Sequence, residues 1–396
     1  MRILIAHVRY RQRGGEDVVV DTEAALLRDA GHDVAVVDPS SEAFDELQLV
    51  TKLQIGLGAG DHHFGRTLVR EAILAHAPDV VHFHNLYPLL GSGAIAEAAQ
   101  LGCGTVQTVH NYRLGCIAGT HFRDGGVCES CRPLSHLAGV ARGCYRSSRL
   151  ASAAMARGVA AQWRQAVGVR LPDVLLCLTR FMMDRLIAAG LPREMVLLKP
   201  NGVVGPAATR REHSQRSGAV FVGRLSPEKG IQELLDGWSS DAPALKVVGV
   251  GPLEAPVRRY ANGETGVTYV GTMCADDVRR EIGSARVLIM PSRCFEGLPL
   301  VALEALSEGT PVTAFALGAG QMLREVDGCL LAAAEDFEQL RRISKRICTM
   351  GESDWTELSE KCTSVYERQY TPVRSLEGLE SAYARAAEHA SARLRR

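Results

Sequence analysis

Short runs of Val, Ile and Leu recur along the chain, and each is followed by a loop and then by a segment of helical length. Runs that are apolar throughout, rather than alternating, mark strands buried on both faces, and parallel strands joined by helical crossovers have that property. The pattern predicts an α/β fold. In the first half the strands fall at Ile3 to Ala6, Val34 to Val37, Val80 to Phe83, Val106 to Val109, Val174 to Leu178 and Val196 to Leu198. Gly31 follows a helical segment from about Asp17 to Ala30, as a capping glycine would, and Thr179 is placed to cap the helix after Leu178.

A polar, turn-rich stretch from Pro200 through the arginines near Arg210 and Arg216 interrupts this alternation. Strand-like runs then resume at Val220 to Val222, Leu245 to Val248, Val267 to Val270, Val287 to Met290 and Val312 to Ala314. Two cores are expected, since 396 residues exceed one ordinary open-sheet domain. The expected division is 1–200 for an amino-terminal doubly wound domain and 218–372 for a second one. From Phe337 the chain reads as helical to its end, with a break near Tyr370, Thr371 and Pro372, so that 373–396 forms a last helix with the amino-terminal domain as one candidate packing partner.

Charge and apolar content remove several function classes. Lys plus Arg and Asp plus Glu each number 45, so no basic footprint covers the molecule and nucleic acid is not expected as a partner. No stretch approaches the roughly 18 apolar residues of a membrane span, and MRILIAHV begins a strand without a signal-peptide pattern. A cytoplasmic protein is expected, with peripheral contact at the inner face of the membrane as an open alternative. There the eleven cysteines stay mostly reduced.

In open α/β sheets ligands bind beyond the carboxyl ends of strands, so the loops after strands carry the candidate chemistry. After Val222 comes GRLSPEKG, with Gly223, Arg224 and Lys229 just ahead of a helix near Gly230. Two cations at a helix amino terminus suit a diphosphate, because each charge-assisted hydrogen bond contributes about 1.5–3 kcal/mol and the helix end adds partial positive charge. A solvated turn in which Glu228 pairs with Lys229 is the competing reading. After Met290 comes PSRCFEGLPLVALEAL, which places Glu296 on a loop and Glu304 in the second turn of a short helix.

FVGRLSPEKG followed by EGLPLVALEALSEGTPV resembles the retaining glycosyltransferases of family 4, over most of the chain. The resemblance implies the GT-B fold, two Rossmann-like domains facing across a cleft. It implies transfer of a sugar from a nucleotide diphosphate donor, UDP foremost, to a saccharide, glycolipid or secondary-metabolite acceptor, with no metal or other cofactor required for catalysis. Arg224 and Lys229 would then hold the diphosphate, and Glu296, Gly297, Leu298, Pro299, Leu300 and Glu304 would grip the donor. Gly14 and Gly15 match the family's glycine-rich loop, His110 its catalytic histidine, and Gly251 within GVGP its turn beside the base. One departure stands out: where many members have Gly-Gly and then Glu, this chain reads ALGAGQMLREVDG, and no role passes to Glu325. A catalytically silent scaffold and a nucleotide-sugar epimerase are the rival functions. A dehydrogenase would need the G-x-G-x-x-G that the first strand lacks.

Three further features stay open at the level of sequence. Cys116, Cys128, Cys131 and Cys144 lie in an irregular insert at 112–146, where they are either four ligands of one structural zinc or small packed residues. Arg9, Arg11 and Arg13 either hold a phosphate on the acceptor or line a solvated loop. Ser147 to Arg170 reads as a helix whose apolar side, with Leu150, Met155, Val159, Trp163 and Val167, packs on its own domain or rests on a membrane surface. The sequence leaves acceptor and oligomeric state undefined.

Overall fold

The computed structural model describes residues 1–395 apart from 59, 133, 206–209 and 264–265, and leaves the side chain of Cys329 undescribed. Among the described residues fourteen strands occur, in the order β1 Arg2–Ala6, β2 Asp33–Val37, β3 Val80–Phe83, β4 Gly104–Val109, β5 Phe122–Arg123, β6 Gly126–Val127, β7 Val174–Cys177 and β8 Val196–Leu198, then β9 Ala219–Val222, β10 Leu245–Val248, β11 Val267–Gly271, β12 Val287–Met290, β13 Val312–Phe315 and β14 Leu331–Ala332. They build two six-stranded sheets, β2-β1-β3-β4-β7-β8 and β11-β10-β9-β12-β13-β14, parallel throughout, plus an antiparallel β5-β6 hairpin. All eleven sequence-predicted strands are present, within two residues at each end.

The chain divides into two compact units, one of Met1–His121, Cys128–Pro200 and Ser375–Arg396, the other of Phe122–Val127 and Asn201–Arg374. This differs from the expected boundaries in two respects. The second unit begins at Asn201 rather than 218, because Val203 donates its N–H to Tyr370 O and Arg216 donates to Thr310 Oγ1 and Glu308 O. Within the insert, the hairpin Phe122–Val127 groups with the second unit, where the Arg293 guanidinium donates to Gly125 O.

In the first unit the pleat of β1 sends Ile3 and Ile5 to one face and Leu4 and Ala6 to the other, all buried. Leu4 and Ala6 pack with Val81, Phe83, Leu90 and Ile95, and Ile3 and Ile5, on the second face, with Val20, Leu27, Val106 and Val174. The carboxy-terminal helix Pro372–Leu394 completes this second face through Leu379, Ala382, Tyr383 and Ala386. Three helices follow Phe337 instead of the two read from sequence, since Met350 is extended (ψ 140°) and Gly351 caps the next helix. Thr179 caps its helix as expected, Oγ1 accepting from Met182 N at 3.2 Å. Among the described residues no helix is long and apolar enough to cross a membrane.

Candidate active site

Strand order reverses direction at β9 and β12 in the second sheet, and loops leaving two such strands diverge to open a crevice at their carboxyl ends. GRLSPEKG leaves β9 and SRCFEG leaves β12. Gly230 joins them closely: its φ is +69°, and a β-carbon there would lie 2.1 Å from Pro291 O, so a side chain would push the loops apart. Across this contact Lys229 Nζ donates to Glu296 Oε1 at 2.5 Å, and Ser292 Oγ donates to the same oxygen at 2.6 Å. Burial opposes both charges, yet the pairing prevails, holding the Lys229 pKa above and the Glu296 pKa below its ordinary value. Arg224 is 61% exposed and donates to Glu228 Oε1 at 2.6 Å, which also accepts from Ser226 Oγ at 2.7 Å.

Glu228 therefore pairs with Arg224 rather than Lys229. The two cations are thus each paired with a carboxylate. Glu296 lies on the loop and Glu304 inside the helix Leu300–Ser307, as the spacing predicts. Glu304 has different neighbours, however: burial raises its pKa, and its charged surroundings are Arg279 and Glu308. Gly297 and Leu298 run into Pro299, which precedes Leu300 without a side-chain cap, leaving the first amides of that helix available to an acceptor. Gly251 has a local reason, since a β-carbon there would lie 2.4 Å from Leu225 O and dislodge the loop that carries Arg224.

In the first sheet the reversal lies at β1 and β3, and His7, His84 and His110 follow the neighbouring strands β1, β3 and β4. His84 Nδ1 and His110 Nε2 are 2.8 Å apart. Of these two facing nitrogens one donates and the other accepts, which fixes the two rings against each other. His84 Nε2 lies 3.6 Å from Glu23 Oε2, which is also 4.0 Å from His82 Nδ1, and neither His84 Nε2 nor Glu23 Oε2 has a hydrogen-bond partner. Burial, with help from Lys199 and His7, lowers the His110 pKa to about 3. His110 is thus a neutral, oriented imidazole at neutral pH. Lys199 pairs with Glu23 in the core, and His82 bonds Thr108 Oγ1 at 2.8 Å and Tyr383 OH at 2.9 Å. Glu23, His82 and His84 have ligand atoms within 4.8 Å of one another; Lys199 holds Glu23 Oε1 and both nitrogens of His82 are hydrogen-bonded, while Glu23 Oε2 and His84 Nε2 are buried without a hydrogen-bond partner.

His110 opens on a small polar pocket with Glu16, Asn85, Tyr87, Gln107 and Arg113. Tyr10 OH donates to Glu16 Oε2 at 2.7 Å, and burial raises the Glu16 pKa to about 7. Gly14 precedes the helix Gly15–Asp29; its N–H donates to Asp17 Oδ2 at 2.8 Å, and Asp17 Oδ1 meets His7 Nε2 at 2.9 Å. A β-carbon on Gly14 would meet nothing nearer than 3.9 Å, so packing within the chain does not explain the glycine.

The arginines ahead of it are not free cations. Arg9 pairs with Asp21 and Asp38, Arg13 with Asp21, and Arg11 with Asp45. Met155, Val159 and Trp163 are buried, so the helix Arg149–Gly168 packs on its own unit, while Leu150 is 85% exposed. Burial raises the Cys131 pKa, and the Cys116, Cys144 and Cys128 thiols add to the shift; among the described residues no three of these sulfurs lie within 4.8 Å of one another. Sequence reading passed over Glu23, Lys199, Asp17, Glu16 and Arg113, which carry no motif and meet His110 or its pocket only through the fold. The one available signal was VHFHN, whose second histidine sits at a strand end as His110 does.

Residues 13–204 match the family described as Glycosyltransferase Family 4, and residues 216–349 match the one described as Glycosyl transferases group 1. The sulfoquinovosyl transferase SQD2 of Arabidopsis thaliana is 35% identical over 101 residues, 25% of this chain and 19% of that protein. A putative teichuronic acid biosynthesis glycosyltransferase, TuaC of Bacillus subtilis, is 34% identical over 117 residues, 27% of this chain and 28% of that protein. The matched stretches thus span less than a third of either relative. HepE of Anabaena, solved in complex with UDP and glucose, superimposes with a TM-score of 0.63 at 16% identity, covering 97% of this chain and 100% of that one.

Proposed function

Because this chain belongs to glycosyltransferase family 4 and has the GT-B fold, we propose that it transfers a sugar from a UDP-sugar to an acceptor hydroxyl with retention of anomeric configuration. The observation that carries the reading is the Lys229–Glu296–Ser292 cluster beside Arg224 at the switch point of the second sheet. A diphosphate entering there would draw Lys229 and Arg224 from their carboxylates. Freed from Lys229, Glu296 would accept from sugar hydroxyls. The C1–O bond to the diphosphate breaks as the acceptor oxygen attacks the same face, and the acceptor proton passes to the departing phosphate oxygen. Stabilising that leaving charge is the main catalytic contribution, and loss of one preorganised donor commonly costs about 10²–10³ in turnover. UDP in the HepE complex supports the choice of base.

Thermal unfolding with UDP, GDP, ADP and dTDP tests this reading. Ligand at 100 times its Kd stabilises by about 2.7 kcal/mol. UDP should raise the midpoint, and Lys229→Ala should abolish the rise and most of the turnover. A chain that binds none of the four nucleotides would be a scaffold instead.

For the insert we propose one structural zinc held by Cys116, Cys128, Cys131 and Cys144. Thiolates on a tetrahedral zinc at about 2.3 Å stand closer together than these sulfurs do, so binding would draw the loop inward. Metal analysis should return one zinc per chain, lost in Cys128→Ser. A metal-free protein with unchanged midpoint in chelator would leave the thiols as packing.

A further inference from the structure

Arg113 is the one cation lining the polar pocket under His110, and among the described residues no carboxylate forms a salt bridge with it. Its guanidinium lies 5.9 Å from the Tyr87 ring centroid and 5.7 Å from that of Tyr145, and its Nε is buried without a hydrogen-bond partner. A cation left in this state fits an anionic ligand group.

Tyr87 and Tyr145 also line a second cavity, of about 140 Å³, walled by Phe44, Ile55, Pro88 and Met155. Apolar cavities of about 150 Å³ take up small hydrocarbons readily. Tyr87 belongs to both pockets, so the cationic and apolar spaces adjoin. Arg146 stands on the apolar cavity's lining, 5.5 Å from the Tyr145 ring centroid. Ile55 turns into the cavity from the helix Leu49–Leu57, whose other side leaves Leu49, Val50, Leu53 and Leu57 between 54% and 71% exposed. An extended apolar surface therefore continues outward from the cavity's wall.

We propose that the acceptor is an anionic amphiphile, an alkyl or isoprenoid phosphate or its glycosylated form. Its phosphate pairs with Arg113, and its hydrocarbon chain runs past Tyr87 into the cavity between the helices Leu49–Leu57 and Arg149–Gly168. This rests on the transferase reading and names its acceptor class. Charge complementarity selects this occupant: a neutral hydrocarbon would leave Arg113 unpaired, and a free sugar phosphate would leave the apolar cavity unfilled.

Calorimetric titration of the whole chain with decyl phosphate, below its micelle concentration, tests it against inorganic phosphate and decanol. Decyl phosphate should bind at least about tenfold more tightly than either, a difference of about 1.4 kcal/mol. Arg113→Ala and Ala154→Leu, the second narrowing the cavity, should each weaken it at least about tenfold while UDP binds both variants as it binds the parent. Equal binding of decyl phosphate and inorganic phosphate overturns the proposal, as does loss in only one variant or in neither. If UDP fails to bind the parent chain, the transferase reading itself falls; if UDP binds and decyl phosphate does not, only the acceptor class falls.

Discussion

Glu16 is the side chain whose protonation bears most directly on the polar pocket. Burial raises its pKa from 4.5 to about 7, against the hydrogen bond from Tyr10 and the charge of Arg113, while Asp17 adds to the rise. Between those two values the folded chain binds this proton more than the unfolded chain does, so the group's contribution to stability is lost as pH rises from about 4.5 to about 7 and is level beyond. Glu16→Gln should abolish that slope, which midpoints measured for parent and variant across the window will show. Above the same value Glu16 adds a negative charge next to Arg113, and binding of an anionic acceptor should weaken there. His110, lowered from 6.5 to about 3, acts in the opposite sense, its contribution to stability being lost as pH falls from about 6.5 towards 3, so the Glu16 slope is read from the difference between parent and variant. Little of this was legible in sequence. His110 stands out in sequence by its place after VQTV, but its pairing with His84 and its lowered pKa depend on burial and on His84 and Lys199, brought beside it from two other strand ends.

At the scale of elements, the proposed donor site depends on two loops held in backbone contact. Gly230→Ala would force a β-carbon against Pro291 O while the backbone needs φ of +69°, and the contact is with backbone that cannot rotate away. Strain at a left-handed residue alone costs of order 1–3 kcal/mol, so the variant should unfold at lower denaturant with an unchanged slope and should bind UDP more weakly, because Lys229 and Glu296 come from opposite sides of that contact. The strands and their order of appearance were readable from apolar runs, since a strand buried on both faces must be apolar along its length. The β5-β6 hairpin and β14 were not, being two residues per strand and too short to leave a pattern.

For the whole molecule, the last helix is the element whose partner matters most. Ser375–Arg396 belongs with the first unit although the chain has just left the second. Leu379, Ala382, Tyr383 and Ala386 lie in the core with Ile3, Ile5 and Val106, and a β-carbon on Gly104 would lie 2.7 Å from Ala386 C. Removing 375–396 should therefore destabilise the first unit by more than the roughly 2–5 kcal/mol of one large core truncation, while the second keeps its own transition. Calorimetry should show one transition falling and the other in place.

The sequence by itself determined the α/β class, the two parallel sheets and the family, because strand periodicity and the FVGRLSPEKG and EGLPLVALEAL motifs are local signals written in consecutive residues. Only the tertiary structure decided which charges are spent and which are free. Arg9, Arg11 and Arg13 look like an anion site in sequence and are each neutralised by an aspartate from elsewhere in the chain, whereas Arg113, unremarkable in sequence, lines a pocket and, among the described residues, forms no salt bridge with a carboxylate. Electrostatic pairing acts through space over a few ångströms, so a cation's availability is a property of the fold that carries it there.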